Sequence, residues 1–140
     1  MGKKLWIGFI VVFILMSVLS FLTHGVILAS KYKSDEMKNL WRPDMMSKMW
    51  IYYLVYVFVS FFFTLIFSYG YEGKGVIEGI RYGVYMGFLM GIPMGYSTYA
   101  MFPIPYSIAL QWFLYALIQY IILGAVVAAI YGKTPGRMKA

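Results

Sequence analysis

Cysteine is absent from these 140 residues, histidine occurs once and acidic residues occur five times. The first absence excludes disulfides, thiolate metal sites, iron–sulfur clusters and cysteine nucleophiles. One histidine, His24, cannot supply both ligands of a bis-histidine haem, and no spacing motif ties it to any of the 11 methionines. Haem, zinc and other metals are therefore not expected. No serine stands with a histidine and an acid in a nucleophile motif, and neither a Walker loop nor a dinucleotide glycine pattern occurs. The sequence offers no catalytic residue, so the expected protein is not an enzyme, and no cofactor is predicted.

Charge is also scarce, at 12% of residues against 62% hydrophobic, and the mean hydropathy is +0.74. What is abundant is long apolar sequence. Four runs, at 5–30, 49–69, 76–99 and 105–131, each meet the requirement of about 20 apolar residues for one bilayer crossing. The expected fold is all-α: an integral membrane four-helix bundle forming one transmembrane domain over residues 1–140, with little chain outside the bilayer. The first run begins like a signal peptide at Lys3-Lys4, but its 26 residues exceed an ordinary h-region and no Ala-x-Ala site closes it, so it reads as a retained helix.

The net charge of +7 comes from basic residues in short segments beside the spans. Attraction to anionic lipid headgroups explains that placement, and no nucleic acid is expected as a partner. Lys3, Lys4, Lys74, Arg81, Lys133, Arg137 and Lys139, seven in all, fall on the N-terminal side, against five, Lys31, Lys33, Lys38, Arg42 and Lys48, on the other. The positive-inside rule then puts both termini in the cytoplasm, with a bacterial or archaeal inner membrane as the setting. The other side carries the 31–48 segment, where Trp41 and Trp50 suit a headgroup belt and Pro43 disfavours helix at Arg42.

Six glycines stand four apart at Gly75, Gly79, Gly83, Gly87, Gly91 and Gly95. Without side chains to hold helices apart, such a row forms a groove for backbone-to-backbone packing. The fourth run offers a second small-residue row, Gly124, Ala128 and Gly132, and packing of these two runs on each other is the plainest reading. A subunit contact, or a crevice for a lipid or flat cofactor, remains open beside it. Pro93 lies in the same run and predicts a kink near Leu89 to Gly91.

A gapless shift of 62 residues pairs Trp50 with Trp112, Tyr53 with Tyr115, Tyr69 with Tyr131 and Gly70 with Gly132. Two helical hairpins related as a parallel repeat would produce such a match, as would chance among 14 tyrosines.

Glu78 and Arg81, three apart at one end of the third run, are placed to form an ion pair on one helical face. His24 shares a predicted face with Ser17 and Ser20, and the fourth run has a polar line of Gln111, Tyr115 and Gln119. With Tyr96 these residues form the candidate polar pocket. Polar glue between helices is one reading of it, and a site for a quinone or lipid headgroup is another.

His24-Gly25 late in the first run, a tryptophan before the second, a Gly-x-x-x-Gly third run and a small-residue fourth run together resemble the layout of small four-span bacterial membrane proteins assigned to families of unknown function. That resemblance implies four helices and no activity. The expected function is that of a non-catalytic membrane protein working through helix contacts, as an accessory or scaffold subunit of a larger assembly or as a homo-oligomer, with membrane lipids and other membrane subunits or itself as partners. The alternatives are a small oligomeric transporter or channel, and a lipid- or quinone-binding protein.

Overall fold

The structure is a computed structural model and describes residues 2–133. Arg137 and Lys139, counted above for orientation, lie outside the described residues. The architecture is all-helical, with no strand among the described residues. Helix α1 (Lys3–Ser20) runs through a π-helical segment (Phe21–Ile27) into α2 (Ala29–Tyr32). Helix α3 spans Trp50–Gly70; α4 (Val76–Ile92) passes through a second π segment (Pro93–Ser97) into α5 (Thr98–Met101); α6 spans Tyr106–Tyr131. Three of these helical stretches, Lys3–Ile27, Met45–Gly70 and Tyr106–Tyr131, are long and apolar enough to cross a membrane. The rod from Val76 to Met101 is less apolar, because glycine replaces a larger side chain at each turn and Glu78 and Arg81 stand near its start.

The helix ends follow from local chemistry. Pro105 has its φ near −60° and lies just before the first turn of α6, where a missing N–H costs nothing. Gly75 (φ +81°) precedes α4 and Gly132 (φ +79°) follows α6, both in a region that disfavours any side chain. Neither glycine belongs to the packing rows that spacing alone suggests. A Cβ on Gly75 would meet nothing nearer than Lys133 Cβ at 3.7 Å, and one on Gly132 would meet nothing within 4 Å. Spacing placed them in the rows, but backbone conformation is what requires them.

Pro93 produces a π segment that starts at the proline itself, rather than a disturbance centred before it. Helix interiors tolerate such i→i+5 turns when a hydrogen bond of the regular ladder is lost.

Helix α6 lies at the centre, packed along α4 on one side and against α1 on another, while α3 packs on α1. The core joins Val12 and Met16 of α1, Phe63 and Phe67 of α3, and Tyr120, Leu123, Val127 and Tyr131 of α6. Tyr82 ties α4 to α3: its ring is tilted against Phe63 and Phe67 with centroids 4.7 and 5.4 Å away, and its hydroxyl donates to the Phe63 carbonyl at 2.7 Å. Its first half, from Trp50 to Phe58, is exposed except at Tyr56. The residues matched by the 62-residue shift therefore sit in unlike places. Tyr69 is 82% exposed and Tyr131 8%, because α6 is central and α3 peripheral.

The 33–49 segment is not simply exposed chain. Hydrogen-bonded turns carry it across one end of the helices, and Met37 is buried with Ile104, Ile108 and Ala109. At the opposite end, the Lys4 ammonium donates to the Tyr131 carbonyl at 2.7 Å, and the backbones of Lys74 and Lys133 pair. Among the described residues, the two groups of basic side chains thus lie at opposite ends of the helices.

Candidate functional site

Three constellations follow from this fold: a bare seam, a tyrosine hub and a buried carboxylate. The seam comes first because it positions the others. Gly79, Gly83, Gly87, Gly91 and Gly95 are all buried, and all face α6. A Cβ on Gly83 would lie 2.6 Å from the Ile121 Cα, one on Gly87 2.9 Å from the Leu117 Cα, and one on Gly95 2.6 Å from the Ala109 carbonyl oxygen. Gly79 is set against Gly124 and Ala128 at the same close range. Nothing but backbone fits on the α4 side, so the seam is filled within the chain and has no room for a second protein or a flat ligand.

Two π segments interrupt the helical register, and the first scatters the predicted polar pocket. Its i→i+5 turn, shown by Leu28 N donating to the Thr23 carbonyl at 2.9 Å, begins just after Ser20. It therefore removes His24 from the face it was expected to share with Ser17 and Ser20. Ser17 bonds the Phe13 carbonyl of its own helix at 2.8 Å. Ser20 donates to Gln119 at 3.3 Å, Lys31 donates to Gln111 at 2.8 Å, and the hydroxyls of Tyr96 and Tyr106 share a bond of 3.2 Å. Tyr115 is half-buried and joins none of these pairs. The seven residues do not gather into one pocket.

His24 instead meets a residue the sequence reading did not single out. The Tyr32 hydroxyl lies 2.5 Å from His24 Nδ1 and accepts from Trp112 Nε1 at 2.6 Å, while the Tyr32 carbonyl accepts from Trp41 Nε1 at 3.0 Å. Indole N–H is only a donor. The Tyr32 hydroxyl, which accepts from Trp112, keeps its own proton free to donate to His24 Nδ1 in the Nε2-protonated tautomer. Trp41, expected as a headgroup anchor, is half-buried against the Tyr32 ring at 4.9 Å. The hub joins the end of the first rod, the crossing segment and α6.

Glu78 does not pair with Arg81. Its carboxylate is 4% exposed and accepts the Glu72 N–H at 2.5 Å and the Lys74 N–H at 2.9 Å. Gly73 and Gly75, both at positive φ, fold these donors back over the helix start, where a carboxylate at the third helical position is favoured by free N–H groups and the helix dipole. Two charge-assisted backbone bonds outcompete one exposed guanidinium. Arg81 lies 3.9 Å from Glu72, which also pairs with Lys74.

Other contributors were missed as well. Gly8 lets α1 approach α3, since a Cβ there would come within 2.8 Å of the Thr64 methyl; as a single glycine it forms no row to notice. Tyr71 donates to the Gly132 carbonyl at 2.5 Å, and with Lys4 it satisfies carbonyls that the end of α6 would otherwise leave without partners. Among the described residues no three His, Cys, Asp or Glu side chains gather where a metal ion could be held. No family model matches the sequence, and no curated protein and no solved structure is similar to it.

Proposed function

We propose that the chain crosses a membrane four times, through the rods 3–32, 50–70, 76–101 and 106–131, and acts there without catalysis. Its function, on this reading, is to contact other membrane helices as an accessory or scaffold subunit, or as a homo-oligomer. The observation that carries the membrane part is the inverted build of α4. Its inner face is glycine, and its outer face presents Ile77, Tyr85, Phe88, Leu89 and Ile92, each more than 40% exposed. An apolar outer face around a side-chain-free inner one suits hydrocarbon as solvent. This also accounts for the less apolar average of the third rod.

The first half of α3 supports the contact reading. From Trp50 to Phe58 it is exposed on almost every side, so it offers a neighbouring helix a complete face. The glycine seam does not serve that purpose, since α6 fills it. A transport path lined by His24, Ser17, Ser20, Gln111 and Gln119 is disfavoured because these groups are paired or bonded separately within the chain.

The natural lack of cysteine makes the test direct. Single cysteines at Ser34 and at Lys74 are expected to react with an impermeant thiol reagent from opposite sides of a bacterial or archaeal cytoplasmic membrane, Lys74→Cys from the inside. Release of the protein by alkaline washing would overturn the membrane assignment. A photo-reactive group at Leu54 is expected to give one discrete protein adduct in intact membranes, and lipid adducts alone, with a monomer on native gels, would refute the subunit role.

A further inference from the structure

The start of α1 and the end of α3 enclose an open cleft of about 600 Å³, lined by Lys3, Lys4, Leu65, Ser68, Tyr69 and Tyr71 among others. We infer that this cleft binds the headgroup of an anionic phospholipid. The inference rests on the membrane reading above, which sets the cleft at headgroup depth, where α1 and α3 leave the apolar layer.

Charge decides the ligand class. Two lysines line the cleft and no carboxylate does; the nearby Glu72 is engaged by Lys74 and Arg81. The Lys4 ammonium is held in place by its bond to the Tyr131 carbonyl at 2.7 Å, and an ammonium carries three donors, so two further N–H groups are available to phosphate oxygens. Lys3 is exposed beside it. Tyrosine faces attract quaternary ammonium groups, which would favour a choline headgroup, but the two fixed positive charges repel it. A phosphodiester without a compensating cation fits both features.

Apolar chemistry decides that the ligand is a lipid rather than a soluble phosphate. Leu65 forms part of the wall, and one turn deeper on the same face of α3 Phe61 meets Trp6 of α1 with ring centroids 6.2 Å apart. An acyl chain hanging from a headgroup in the cleft would run along this track.

The test is native mass spectrometry of the full chain in a neutral detergent, with added phosphatidylglycerol or phosphatidylcholine of identical acyl chains. The phosphatidylglycerol adduct is expected to predominate, and Lys3→Gln to weaken it about five-fold, the effect of one basic residue near an anionic surface. Leu65→Trp, which fills the cleft without changing charge, is expected to weaken it too, whereas Lys33→Gln at the opposite end leaves it unchanged. Equal adducts of the two lipids, or equal losses from Lys3→Gln and Lys33→Gln, would overturn the site. So would displacement of the lipid by equimolar glycerol phosphate, which would show a soluble-anion site instead. Retention of the protein in alkali-washed membranes is scored separately, so failure of the site and failure of the membrane reading are told apart.

Discussion

The α-carbon of Gly83 lies against that of Ile121 so closely that a methyl group on the glycine would stand 2.6 Å from the isoleucine Cα. Backbone cannot yield as a flexible side chain can. Gly83→Ala is therefore expected to destabilise the fold by about 1–3 kcal/mol, the usual cost of overpacking. Gly70→Ala, with nothing within 4 Å of the new methyl, is expected to be neutral or to stabilise by about 0.5 kcal/mol. Reversible unfolding in mixed micelles measures both, and equal effects would show that the seam is looser than described.

Gly75→Ala separates conformation from contact. Its methyl meets only Lys133 at 3.7 Å, yet the residue has φ +81°. A loss of about 1–3 kcal/mol is expected from a backbone conformation open in practice only to glycine, in the same unfolding assay. A silent substitution would mean that the turn relaxes freely.

Removing the Glu78 carboxylate leaves the Glu72 and Lys74 N–H groups without their acceptor. Glu78→Ala is expected to cost about 1–3 kcal/mol, as unsatisfied buried polar groups do, and Glu78→Gln less, since an amide oxygen can still accept one bond. Arg81→Gln is expected to have little effect, because the contact with Glu72 is long and exposed. Amide exchange at residues 72–74 provides the local readout, and slow exchange there in Glu78→Ala would contradict the capping role.

Tyr32→Phe removes the acceptor of Trp112 Nε1–H and is expected to shift indole fluorescence and to cost about 1–3 kcal/mol in the same unfolding assay, as a buried donor left without a partner does. Unchanged emission together with unchanged stability would refute the hub.

The ends of the helices were largely legible in the sequence, because they depend on single residues: Pro105 starts α6, and the stop after Gly70 closes α3. The seam was legible too, since five of the six glycines mark a face whatever lies opposite. What spacing could not show was any contact set by a change of register. A π turn has no composition of its own, so the one at Phe21–Ile27 took His24 away from Ser20 and toward Tyr32 unannounced. Glu78 was read against its helical neighbour Arg81, whereas its partners precede the helix and reach it only because Gly73 and Gly75 reverse the chain. Lys4 and Tyr71 likewise find the end of α6 from positions 127 and 61 residues away in the sequence.

A ladder with a rung at every turn presents much the same profile after a shift of one rung, about 6 Å along the axis. The α4 face thus carries little information about where α6 should halt. The stops are elsewhere: the short Phe102–Pro105 link fixes one end, and the Lys74–Lys133 pairing latches the other. Lengthening that link by four residues while cutting the latch would turn a fixed joint into a sliding one.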